Sequence, residues 1–79
     1  MHTEEIISDE KIFMKNVTYL RELHGLSRTK MAKLLHISIK SLDMMERGEL
    51  PKHLSSAIFF YIEENFNIPP VKQFTKLWT

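Results

Sequence analysis

Ser38-Ile39-Lys40-Ser41-Leu42-Asp43-Met44-Met45-Glu46-Arg47-Gly48 has the form of one short helix with both ends marked. A serine at the first position can accept from a free backbone N–H, and a glycine at the last can adopt the left-handed conformation that stops a helix. Leu42 and Met45 stand three residues apart and share one face. The other face then carries Ile39, Lys40, Asp43, Met44 and Arg47, a mixture of apolar, basic and acidic groups.

The residues on either side are punctuated by Gly25, Pro51, Pro69 and Pro70, with apolar patterns of helical period between them. A first helix is predicted to start near Ser8 or Asp9. It carries Phe13, Val17, Leu20 and His24 on one stripe, with Leu23 beside it, and ends at Gly25. Ser27 caps a second helix, Arg28 to Leu35, in which Met31, Ala32 and Leu35 share a face. Residues 36–38 make a short turn into the third. A fourth helix is predicted from Lys52 or His53 to Asn65, built on Leu54, Ile58, Phe59, Ile62 and Phe66. Pro70 can occupy the first turn of a fifth, presenting Val71, Phe74 and Leu77. No segment alternates in the strand period between turn signals, so the expectation is an all-α, five-helix domain around one core.

Composition sets the outer limits. A chain of 79 residues supports one domain and a modest core. No segment is apolar over the roughly 20 residues needed to span a bilayer. The first ten residues, MHTEEIISDE, are acidic and lack the form of a signal or transit peptide. Residues 1–8 read as a flexible tail and 9–79 as the domain. Cysteine is absent, so there is no disulfide framework, thiolate metal site or cysteine nucleophile. A cytoplasmic location fits. The formal charge of +1 is almost neutral, but its distribution is not. Between residues 28 and 53, Arg28, Lys30, Lys33, Lys40, Arg47 and Lys52 face only Asp43, Glu46 and Glu49. Such a basic excess suits contact with phosphate.

The second and third helices, joined by a tight turn, form a helix-turn-helix pattern. Ala32 is small where the two helices must approach closely, Ile37 fills the gap under the turn, and Leu42 and Met45 anchor the third helix. Its outer face is then free to enter the major groove of DNA, roughly 12 Å wide.

The run LRELHGLSRTKMAKLLHISIKSLDMMERGELP resembles the helix-turn-helix domain of Cro and the phage repressors, the XRE family. The resemblance covers about residues 13 to 77 and rests on several elements in register. These are Arg21 before Gly25, Leu26-Ser27, Met31-Ala32 with Leu35, and Glu46-Arg47-Gly48. It implies a compact lambda-repressor-like fold that binds double-stranded operator DNA as a homodimer, with the C-terminal helix a common interface. Trp78 lies in that segment and suits an interface hot spot or packing on its own domain. The resemblance also implies an ion pair between Arg21 and Glu46, tying the first helix to the end of the third.

The same resemblance places base reading at Ile39, Lys40 and Met44, with Asp43 nearby. Ser27 and Arg28 stand at a helix N-terminus, where exposed N–H groups and the dipole attract phosphate. Ser38, Lys40 and Ser41 are the polar groups at the start of the third helix, and Arg47 and Lys52 can hold the next stretch of backbone. Ile39 and Met44 cannot hydrogen-bond but can touch a thymine methyl; Asp43 can accept from cytosine N4, though its charge repels phosphate. Exposed isoleucine and methionine would equally suit a protein partner, as in an adaptor or antitoxin.

Enzyme chemistry is not expected. His2, His24, His36 and His53 have no metal-ligand spacing. Glu63 and Glu64 are adjacent and point about 100° apart on a helix. There is no glycine-rich phosphate loop and no nucleophile with a matched base, so no cofactor or metal is implied.

Overall fold

The structure is a computed structural model that describes residues 9–73. Four α-helices follow one another: α1 (Asp9–Leu23), α2 (Arg28–Leu35), α3 (Ile39–Glu46) and α4 (Ala57–Phe66). A single 3-10 turn, Pro70–Lys72, closes the described chain, which contains no strand. Among the described residues the fold is all-helical, as expected, with four α-helices.

Packing follows from the apolar stripes. Phe13, Met14, Val17 and Leu20 of α1 meet Met31, Ala32 and Leu35 of α2, Leu42 and Met45 of α3, and Ile58 and Ile62 of α4 in one core. Leu26, Ile37, Leu54, Phe59 and Phe66 pack against its edge. The ring of Phe13 meets that of Phe59 edge-on at 5.1 Å. Helix α3 rests on α1 and α2, while α4 lies against α2 and the 3-10 turn.

All four α-helices end through a residue in the left-handed region: Gly25, His36, Gly48 and Asn67. The first three complete the same motif, in which the residue after the left-handed one donates back five positions. Leu26 N donates to Arg21 O at 2.9 Å, Ile37 N to Ala32 O at 3.0 Å, and Glu49 N to Met44 O at 2.8 Å. Asn67 makes the simpler version, its N–H reaching Glu63 O at 2.8 Å.

The structure corrects three expectations. Helix α4 begins at Ala57, not at Lys52 or His53. Leu54 stands four residues before Ile58 and mimics the helical stripe, but it reaches the core from an irregular loop. The Ser55 hydroxyl oxygen accepts from Ala57 N at 3.1 Å and starts the helix there. The expected fifth helix is, among the described residues, only the 3-10 turn, and Val71 is 65% exposed instead of buried. Phe74, Leu77 and Trp78 lie outside the described residues, as does the tail 1–8. Finally, Leu23 and His24 are exposed; α1 ends at Leu23, so His24 falls off the stripe, and its ring lies tilted at 45° against Phe66 with centroids 5.1 Å apart.

Candidate nucleic-acid interface

Helices α2 and α3 are joined by residues 36–38, and each starts at a serine cap. The Ser27 hydroxyl oxygen accepts from Lys30 N at 3.1 Å and that of Ser38 from Ser41 N at 3.0 Å. Ser38 also donates its hydroxyl proton to Ser41 Oγ at 3.0 Å. These three serines are therefore committed to helix starts, and the first-turn N–H groups around them provide the anion-attracting end of each helix. In the turn, His36 adopts φ +58° and its ring stacks on Tyr61 with centroids 4.0 Å apart.

Leu42 and Met45 hold α3 to the core, and the opposite side stays uncovered. Ile39 is 46% exposed, Lys40 and Arg47 are exposed, and Asp43, Met44 and Ser41 are half-buried. Met44 is thus neither a core residue nor fully presented. Arg28 of α2 lies against the Asp43 edge of this face, and the Ile39–Lys40 end is open to solvent.

Arg21 and Glu46 form an ion pair, with Arg21 Nε donating to Glu46 Oε2 at 2.6 Å and Arg21 Nη2 to Oε1 at 3.3 Å. Arg21 Nη1 also donates to Leu26 O at 3.0 Å. Their side chains are 15% and 7% exposed, so the pair is largely withdrawn from water. Arg28 joins from the start of α2, donating Nε to Glu46 Oε1 at 2.8 Å and lying 3.5 Å from Asp43 Oδ1. Nothing in the local sequence marks this third member, since the position of Arg28 at a helix start suggests only a phosphate contact.

Burial alone would push the Glu46 carboxyl up. Hydrogen bonds from Arg21 and then Arg28 outweigh that and hold it below the usual carboxylate range. The Arg28 guanidinium is raised in turn, first by its hydrogen bond to Glu46 and then by that group's charge, with Asp43 and Glu22 adding to it.

The basic residues divide into two groups. Arg28 leans on Glu46 and Asp43, and Arg47 lies 3.6 Å from Glu49 at the surface. Lys30, Lys33, Lys40 and Lys52 are exposed and form no ion pair among the described residues. Lys40 extends from the uncovered face of α3, whereas Lys52 sits in the loop beyond it. The candidate site thus gathers Ser27, Arg28, Ser38, Ile39, Lys40, Ser41, Asp43, Met44 and Arg47 on α2, α3 and their caps, with Lys52 more distant in the chain.

Two buried polar residues went unnoticed in the sequence. Gln73 donates Nε2 to Phe59 O at 2.8 Å and to Ile68 O at 2.9 Å, while its own carbonyl accepts from Asn16 Nδ2 at 2.8 Å. They clasp the end of the described chain to α1 and α4. No pattern of period or charge marks either residue.

Among the described residues there is no cluster of metal-binding side chains and no helix long and apolar enough to cross a membrane. No family model matches this chain, nor does any curated protein or solved structure.

Proposed function

We propose that this chain is a sequence-specific DNA-binding transcriptional regulator of the repressor type, acting as a homodimer with α3 in the major groove. The observation that carries this reading is the uncovered outer face of α3, held rigid from behind by Leu42, Met45 and the Arg21–Glu46 pair. A short, doubly capped helix on a firm base matches the width of the groove. The N-termini of α2 and α3 supply phosphate-seeking N–H groups, and Lys40, Lys30 and Lys52 supply positive charge. Regulation would follow from occupancy of the site. Two copies of α3 in a dimer would stand about 34 Å apart on a palindromic duplex.

A second reading has its own support. Arg28 and Arg47 are partly neutralised by acids, and Ile39 exposes apolar surface, which favours a protein-binding adaptor or antitoxin-like role. Selection from random duplexes at two salt concentrations separates the two. The DNA reading predicts an enriched sequence, affinity that falls steeply with salt, and a salt slope reduced by about 1 in Lys40→Ala. A protein with no salt-dependent affinity for any duplex, but with a partner lost on Ile39→Ser, would be the adaptor.

A further inference from the structure

We infer that Asp43 is a specificity-determining residue that selects cytosine, and that Arg28 is the positioning residue that makes an acid usable on this face. The inference rests on the DNA reading above and deepens it.

An acid on a surface that meets a polyanion is a liability unless something offsets its charge. Asp43 lies on the uncovered side of α3, where Lys40 three residues before it and Arg47 four after share its face. Arg28 approaches from the start of α2, with Nε 3.5 Å from Asp43 Oδ1. That separation is long for a hydrogen bond but close enough for attraction, screened by solvent because the two side chains are 55% and 42% exposed. Arg28 therefore offsets the charge of Asp43 without consuming its acceptor capacity.

The same Nε is pinned by a 2.8 Å bond to Glu46, itself fixed by Arg21. Arg28 is held by the buried pair and so keeps its positive charge beside Asp43. The arrangement borders a solvent-open cavity of about 440 Å³ between α1, α2 and α3, so Asp43 remains accessible. Two amino groups face the major groove, cytosine N4 and adenine N6; a carboxylate favours cytosine because the N7 acceptor beside adenine N6 repels its second oxygen. Asparagine in its place pairs instead with adenine N6 and N7.

The test is selection from random duplexes with the wild-type protein, Asp43→Asn, Arg28→Gln and Arg28→Lys, with thermal melting of each to establish folding. The wild type should enrich cytosine at one position of each half-site by about tenfold over other bases. Asp43→Asn should move that preference to adenine and leave the other positions unchanged. Arg28→Gln should lose it at the same position, and Arg28→Lys, which keeps the charge, should restore most of it. Salt-dependent, sequence-selective binding in which neither residue alters any base preference overturns the inference while leaving the DNA reading intact. Absence of salt-dependent binding to any duplex overturns both.

Discussion

At the scale of single residues, Glu46 joins the buried ion pair to the candidate face. It is the common acceptor of Arg21 and Arg28 and is almost sealed from water. Removing one partner of such a pair leaves the other charge poorly compensated, so Glu46→Gln should destabilise the domain by about 3 kcal/mol, read by urea unfolding. The pH dependence has a definite sign. The folded carboxyl is held below its unfolded value, so its stabilising contribution is complete above the unfolded pKa, near about 4.3 for glutamate. It is lost as pH falls through the lower folded value. Wild-type stability should drop on acidification below about pH 4, and that limb should flatten in Glu46→Gln. His36 tests a different balance. Its left-handed backbone costs roughly 1 kcal/mol, and its stack on Tyr61 returns about as much. His36→Gly loses both terms and should be nearly neutral by thermal melting, whereas His36→Ala keeps the strain without the ring and should cost about 1 kcal/mol. Gln73→Ala should cost about 2 kcal/mol by exposing the Phe59 and Ile68 carbonyls to an unfilled space, with duplex affinity unchanged.

At the scale of elements, what identifies a helix is its ends. Gly48 has open space around its Cα but a φ of +84°, so Gly48→Ala should cost about 1 kcal/mol through backbone strain alone. Serine caps made the starts of α2 and α3 legible to the residue, and the glycine stops made the ends of α1 and α3 legible to within one position. The stops at His36 and Asn67 carry no glycine; the apolar pattern alone put the end of α2 at Leu35, as observed, and that of α4 at Asn65, one residue short of Phe66. The start of α4 was misread because Leu54 keeps the spacing of a helical stripe while belonging to a loop. The candidate face of α3 could be derived from Leu42 and Met45, whose three-residue spacing points one way only. The contact of Arg28 with Glu46 could not be: it spans 18 residues, and nothing in the local pattern encodes a tertiary approach. Gln73, which bonds at separations of 57, 14 and 5 residues, is hidden for the same reason.

At the scale of the whole molecule, four short helices enclose a single small core, and stability is expected to be modest. If the domain is a dimer on a duplex, the operator should contribute measurably: at ligand concentrations about 100-fold above Kd, stabilisation should reach about 2.7 kcal/mol, seen as a rise in melting temperature with added duplex. That rise should shrink as salt increases. The residues of α3 that support it differ from those that meet the outside, and Arg28 joins the two sets. Leu42, Met45 and Glu46 belong to the first set; Ile39, Lys40, Asp43 and Met44 belong to the second. If α3 reads DNA as proposed, the outer set is a transferable head: grafting those four side chains, with Arg28 in step, onto another scaffold of this geometry should carry the chosen target along and leave the recipient's frame undisturbed.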